Sequence, residues 1–240
     1  VCTDATGVAK LTAVPVGDYS GGGYDQAEKY VNGLFGPVTV TENRTSKTVV
    51  RLDKNSKLHV DFVDSASGEA VDACVQLADP VRNDIGSGGH CGTSVDLNNL
   101  FPNDKFRLFA SASDGVHGAQ WVGRNGLGTG DPDKAKVYSP KPGEQVRVTI
   151  KLDGAGSVTG TVKDAATGEE VSGSICATPS APPASYGPNS QSDCTYQSGT
   201  YSIRHLGPYQ WKLAFPDFSG GHAWVWSGNA PNRARATAVR

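Results

Sequence analysis

Apolar and polar residues alternate along much of the chain, and this alternation predicts short β-strands. Leu58 to Val63 and Val158 to Val162 carry apolar or β-branched side chains at every second position, which is typical of a strand with one buried face. Each run leads into an Asp-x-x-x-Gly turn, in which Asp accepts from backbone amides and Gly tolerates a positive φ. Phe106 to Ala110 and Gln210 to Phe215 follow Pro-containing turns and alternate again.

One segment departs from this pattern. Tyr24 to Val31 contains helix formers and little Gly or Pro, so it predicts a short helix. Elsewhere the strands recur at intervals of about 8 to 15 residues with turn signals between them, as in antiparallel β-sandwiches. We therefore expect an all-β fold.

An internal repeat organises the chain. Asp64 to Val71 recurs as Asp164 to Val171, 100 residues later. A pair of cysteines follows each copy, and thirty residues after each second cysteine stands a tryptophan: Cys74, Cys91 and Trp121 in one copy, Cys176, Cys194 and Trp224 in the other. Self-similarity at a fixed period is the signature of a repeat architecture.

The same frame extends to both ends of the chain. Val146 to Asp153 closes one copy, 47–53 closes an earlier one in the same way, and Cys2 lines up with Cys91 and Cys194. We expect residues 1–53 to be the C-terminal part of an incomplete first repeat, 54–153 a second sandwich, and 154–240 a third that lacks its closing strand. An unpaired sheet edge in the third repeat could accept a strand from another molecule.

The four paired cysteines predict disulfides. Positions 17 or 18 residues apart on neighbouring strands can bring their Cα atoms within about 7 Å, which favours Cys74–Cys91 and Cys176–Cys194. Zinc would require C-x₂-C or histidines at ligand spacing, and the sequence has neither. Disulfides indicate an oxidising compartment, hence a secreted or cell-surface protein. For Cys2 we expect a partner outside the chain, with a free thiol or a crosslink as alternatives.

The third repeat also resembles a known family. Its Asp-x-x-Thr-Gly-Glu turn, the Ser198 to Tyr201 strand, Leu206 to Tyr209 and the following Lys-Leu-Ala-Phe strand resemble the carboxypeptidase regulatory-like domain. Trp224 to Pro231 looks like the version found in tandem in secreted actinobacterial proteins. The resemblance implies transthyretin-like, seven-stranded, immunoglobulin-like sandwiches in an elongated array, and it says almost nothing about activity.

Composition excludes several functions. A net charge of −2 gives no field that would attract nucleic acid, and no apolar run approaches the roughly 20 residues of a membrane span. The histidines are scattered, and no metalloprotease or nucleophile-elbow motif occurs, so we predict no catalytic residue, metal or cofactor. Asp131 and Asp133 could belong to a calcium loop, although a solvated loop is the favoured interpretation.

The tryptophans are the remaining candidates for contact with a ligand or partner. Trp121 and Trp224 occupy equivalent positions in the repeat frame, which favours packing over a binding platform. Trp226 has Gly123 as its counterpart, so we expect it to be the more exposed.

These patterns favour a non-catalytic, disulfide-stapled spacer or adhesive stalk that contacts flanking repeats, other copies of itself, or a cell-surface glycan or protein. The alternative is an accessory carbohydrate- or protein-binding module of a secreted hydrolase, in which Trp226 would contact the sugar.

Overall fold

Strands account for nearly all regular structure in this protein. The computed structural model describes residues 1–81, 85, 89–176, 194–217 and 221–240. Within these ranges, the regular elements are sixteen β-strands and three 3₁₀ turns, Arg124–Gly126, Pro132–Lys134 and Arg233–Arg235. The expected all-β class is confirmed. For description we call 54–153 the middle unit and 154–240 the last unit.

The N-terminal 53 residues form one hairpin of β1 (Gly17–Gly23) and β2 (Gly33–Val40), paired antiparallel. Most of their side chains are exposed, some are half-buried, and Val31 alone is buried. The predicted helix at Tyr24 to Val31 is wrong. The Asp25 carboxylate accepts the backbone N–H groups of Ala27 and Lys29 in a turn, and Glu28 has a positive φ, so side chain-to-backbone bonding replaces the helical ladder.

The first sheet of the middle unit has β3 at its centre. β3 (Ser56–Asp64) pairs antiparallel with β6 (Ser94–Leu100) and in parallel with β10 (Gln145–Leu152). Along β3 the buried positions alternate with more exposed ones, because successive side chains point to opposite faces of a sheet.

The second sheet contains five strands in the order β5-β4-β7-β8-β9. They are β4 (Ala73–Ala78), β5 (His90–Gly92), β7 (Arg107–Ala112), β8 (Gln120–Val122) and the two-residue β9 (Gly128–Thr129). All of their pairings are antiparallel. This sheet faces β3 across one apolar core, which includes Leu58, Val60, Phe62, Val75 and Leu108. The middle unit is therefore a β-sandwich.

The last unit repeats much of this arrangement. β11 (Gly156–Thr161) pairs antiparallel with β14 (Thr200–Leu206). The second sheet runs β13-β12-β15-β16, from Cys194–Ser198, Ser172–Cys176, Ala214–Phe215 and Val225–Trp226. β11 occupies the place of β3 and β14 that of β6. Among the described strands, none takes the place of β10 beside β11.

A second apolar cluster joins the two units. Phe109 and Trp121 of the middle unit pack together with side chains of the last unit that include Ile203, Leu206 and Trp211. Since the outer face of the β4–β9 sheet is buried against the next unit, both of its faces are covered by apolar contacts.

The central strand β3 supplies the first prediction. Phe62 is fully buried in the middle-unit core, so Phe62→Ala removes apolar contacts and leaves a cavity, and we expect a loss of about 3–5 kcal/mol in unfolding free energy. Urea denaturation followed by fluorescence measures it. The matched control is Phe101→Ala, because Phe101 is 51% exposed and its truncation should change stability by about 0.5 kcal/mol or less. Equal losses in the two variants would contradict this assignment of the core.

Candidate functional site

The tryptophans do not form an exposed platform in the described structure. Trp121 is fully buried, Trp226 is only 9% exposed, and Trp224 is half-buried. The expectation that Trp226 is the more exposed residue is therefore wrong. Trp226 packs in a small cluster with Ala214, Ala230 and Ala236.

The structure also corrects which tryptophans are equivalent. The N–H of Lys136 donates to the carbonyl of Val122 (2.9 Å), and the N–H of Thr237 donates to that of Ser227 in the same way (2.8 Å). Trp121 and Trp226 immediately precede these acceptors, so they are the matching pair. Trp226 stands thirty-two residues after Cys194, whereas the spacing of thirty residues in the repeat selects Trp224.

The cysteines lie on neighbouring strands. Cys74 and Cys91 are register partners of β4 and β5 and form a disulfide. Cys176 is disulfide-bonded, and its register partner is Cys194. Cys2 is exposed and free.

Asp131 and Asp133 bind an arginine. The guanidinium of Arg233 lies 2.7 Å from Asp131 Oδ1 and 3.1 Å from Asp133 Oδ2, and the Asp131 carboxylate also accepts the N–H of Asp133. These two carboxylates therefore contact the last unit. No group of three or more His, Cys, Asp or Glu side chains suited to a metal occurs among the described residues.

Two contacts along the chain are made with the same pair of backbone hydrogen bonds, and we call each of them a joint. In the first joint, the N–H of Val31 donates to Asp53 (2.9 Å) and that of Asn55 to Lys29 (3.0 Å). In the second joint, the N–H of Gly118 donates to the carbonyl of Asp153 (2.9 Å), and the N–H of Ala155 donates to the carbonyl of Val116 (2.6 Å). In each joint, a loop is thus paired with the residues that lead into the next strand, β3 or β11.

Side chains extend the second joint. The Tyr209 hydroxyl of the last unit donates to Gln120 Oε1 (2.9 Å) and contacts the Asp153 carboxylate. Gln120 is fully buried and donates through its amide to the carbonyl of Lys151. Burial, together with the neighbouring Asp153, raises the pKa of Tyr209, so the phenol stays protonated and acts as a donor.

Each of these two units also holds a histidine between two aspartates, an arrangement we call the clamp. In the middle unit, His117 Nε2 lies 3.1 Å from Asp64 and Nδ1 lies 2.5 Å from Asp114. In the last unit, the corresponding distances from His222 to Asp164 and to Asp217 are both 3.1 Å. Asp64 and Asp164 are the first residues of the repeated turn, and their other oxygens accept backbone N–H groups of that turn.

The clamps shift the acidity of their members. Burial lowers the pKa of His117, but hydrogen bonds and charges of Asp114 and Asp64 outweigh it, so the pKa is raised. Hydrogen bonds that the imidazole donates to Asp217 and Asp164 raise the pKa of His222. The pKa of Asp64 falls to about 2, chiefly because it accepts hydrogen bonds from Ser67 and also from His117.

The sequence contained a sign of the clamps that we did not use. The repeated aspartates were interpreted as local turn residues, and the histidines as scattered along the chain. The partners are 53 and 58 residues apart, so the cluster forms only after the sandwich folds.

The described part of the chain contains no helix that is long and apolar enough to cross a membrane.

The middle clamp gives a pH-dependent prediction. Because the pKa of His117 is raised on folding, its contribution to stability is complete below the unfolded value near 6.5 and disappears as the pH rises through the folded value. His117→Gln should therefore lower the unfolding free energy by about 1–3 kcal/mol near pH 5 and by less near pH 8. Urea titrations at both pH values measure the difference.

A control variant accompanies this experiment. His90→Gln changes an exposed histidine on β5 and should leave the unfolding free energy unchanged at both pH values. Below about pH 4, protonation of Asp64 and Asp114, whose pKa values are both lowered to about 2, should destabilise the wild type as the pH falls through those values. A loss in His117→Gln that is independent of pH would contradict an ionic clamp.

No protein-family model matches the sequence, and no curated protein matches it. Among solved structures, the chain is similar to a streptococcal ancillary pilin, with 12% identity over 95% of this chain and 72% of the pilin and a TM-score of 0.27. It is similar to the Bacillus anthracis TIE protein, with 13% identity, 90% and 39% coverage and a TM-score of 0.32. A DUF3823 family protein from Bacteroides uniformis has 11% identity, 71% and 96% coverage and a TM-score of 0.28. Similarities this weak carry no argument about function.

Proposed function

We propose that this chain is a non-catalytic structural spacer of a secreted or cell-surface protein built from tandem β-sandwiches. The observation that carries the proposal is the joint, which recurs with the same pair of backbone hydrogen bonds at Val31 and Asn55 and again at Gly118 and Ala155. A spacer needs consecutive units to keep a defined relation, and a repeated joint supplies one.

The joint also supports the division into three units. Its linkers, Asp53–Asn55 and Asp153–Ala155, span the boundary after the proposed first unit (1–53) and the boundary after the proposed second unit (54–153). The third unit is 154–240. Each linker leads directly into the first strand of the next sandwich, β3 or β11.

Several contacts would keep the middle and last units in a fixed relation. They share an apolar cluster around Trp121 and Leu206, and Arg233 of the last unit pairs with Asp131 and Asp133 of the middle unit. Exposed ion pairs contribute little, so the apolar cluster and the backbone pairing dominate. A flexible linker would show neither.

The disulfide supports the proposed location. A disulfide between adjacent strands persists in an oxidising compartment, and Cys74–Cys91 closes a loop across a sequence separation of 17 residues. By chain-entropy estimates such a loop adds about 3 kcal/mol. Cys176 and Cys194 would staple the last unit in the same way.

The features that the middle and last units share also agree with a structural role. The features present in both the middle and last units are turns, cysteine pairs, buried tryptophans and clamps, and each is explained by folding alone. The carbohydrate-binding alternative rested on an exposed Trp226, and burial of Trp226 removes that support. The partners we propose are flanking repeats and other copies of the chain.

Substitution at the second joint tests this role. A Cβ on Gly118 would lie 2.3 Å from the backbone nitrogen of Gly207, so Gly118→Ala should force the middle and last units apart. We expect the wild type to unfold in one calorimetric transition and the variant in two. Small-angle X-ray scattering should show a wider distribution of distances between units in the variant.

Gly154→Ala is the matched control from the same joint. A Cβ there would meet only the Val116 carbonyl at 4.0 Å, an ordinary contact, so its unfolding and scattering should equal those of the wild type. A wild type whose two units unfold independently, or whose scattering already requires freely moving units, would contradict a spacer role.

A further inference from the structure

The first and last strands of the middle unit are neighbours and run in parallel. β3 opens the unit and β10 closes it, and their pairing is continuous from Lys57 opposite Gln145 to Asp64 opposite Leu152. In a parallel pair, both strands begin at one end of the ladder and finish at the other. The chain therefore enters this unit at one end of the ladder and leaves at the other, about 26 Å away for a strand of eight residues.

Tension along the chain would load this ladder in shear. A pull on the chain before Ser56 draws β3 towards its N-terminal end, and a pull on the chain after Leu152 draws β10 towards its C-terminal end. Because the strands are parallel, the two forces point in opposite directions along the strand axes. The hydrogen bonds of the ladder then share the load and must break together, whereas a ladder that is pulled open from one end breaks one bond at a time.

β10 is the strand that this force would detach. Among the described strands it pairs with β3 alone, at one side of the sheet β10-β3-β6, whereas β3 is held by β6 as well. The β3–β10 ladder therefore carries the load that reaches β10. Ile150 and Leu152 of β10 are fully buried in one core with Phe62 of β3. Sliding β10 along β3 must therefore expose apolar surface to water as well as break hydrogen bonds.

Further hydrogen bonds fasten both ends of the ladder. At the entry end, the N–H of Lys57 donates to the carbonyl of Glu144 (2.9 Å). At the exit end, the N–H of Ser65 donates to the carbonyl of Leu152 (2.9 Å), and the Ser65 hydroxyl donates to the Asp153 carboxylate. The pairing thus extends beyond the two strands and reaches the first residue of the second joint.

The other edge of β10 is attached to the unit as well. The buried Gln120 of β8 donates through its amide to the carbonyl of Lys151 (2.8 Å). The backbone at Gly126 lies so close to β10 that a Cβ there would overlap the carbonyl of Thr149. Sliding of β10 along β3 would break these contacts too, so they add to the resistance of the ladder.

We infer that the middle unit is a load-bearing element, in which the parallel β3–β10 ladder resists tension along the chain. The inference rests on the proposed spacer role, because the units of a linear spacer transmit any force that is applied to its ends. The load passes from the residues before Ser56 into β3, across the ladder into β10, and out through Asp153. The remaining strands of the sandwich lie outside this path and unfold after β10 has left.

Pulling the same unit in two directions tests the inference. In the full chain, an azide-bearing amino acid for attachment of DNA handles replaces Lys57 and Lys151 for shear, or Lys57 and Gln145 for opening from one end. All three side chains are exposed. Optical tweezers measure the unfolding force at one pulling speed, and forced unfolding is governed by the unfolding rate. We expect the shear pair to require several times the force of the opening pair.

The length of chain released identifies the middle unit in these traces. The disulfide Cys74–Cys91 keeps a sequence separation of 17 residues closed. Its reduction should therefore lengthen the unfolding event by about 60 Å in both pulling directions.

Proline variants of β10 give a second readout. Bonding to β3 alternates along β10, and because Glu144 bonds to β3, the N–H of Val146 points to β3 and that of Arg147 points away. Val146→Pro should therefore lower the shear force. Arg147→Pro is the matched control, since proline is tolerated in a strand at the side of a sheet when its nitrogen faces away from the neighbour, and it should leave the shear force unchanged.

Two results would overturn the inference. One is equal unfolding forces in the two pulling directions, and the other is an equal loss of shear force in the two proline variants. Gly118→Ala tests the contact between units, whereas these experiments test one unit alone, so the spacer role and the load-bearing ladder can fail separately.

Discussion

The close approach of the backbone at Gly118 to that at Gly207 is the contact on which the relation between the middle and last units depends. A side chain at Gly118 would overlap the Gly207 backbone, so only glycine allows Ala119 to bond with His205 and Gly207. Once the strands meet there, Trp121 lies within the shared cluster. Tyr209 then also reaches the amide of Gln120. The apolar contacts between the units follow from a backbone constraint.

The aspartate of the repeated turn connects local and long-range structure. One oxygen of Asp64 accepts the N–H groups of Ala66 and Ser67, which fixes the turn. Its other oxygen binds His117, next to Gly118. Asp64, which fixes the tight turn, therefore also anchors the loop that forms the joint. Asp164 repeats both roles with His222, so the position of the loop is specified by the same residues in each unit.

The sequence predicted the features that depend on neighbouring residues or on a fixed offset. The strand at Leu58 to Val63, the Asp turns and the cysteine register of β4 and β5 all follow from alternation and spacing. The prediction failed where a side chain competes with the helix ladder, as Asp25 does. It also failed to match Trp121 with Trp226, because the tryptophan follows the second cysteine by 30 residues in the middle unit and by 32 residues in the last unit. The clamps were missed because His117 and Asp64 meet only through the folded sandwich.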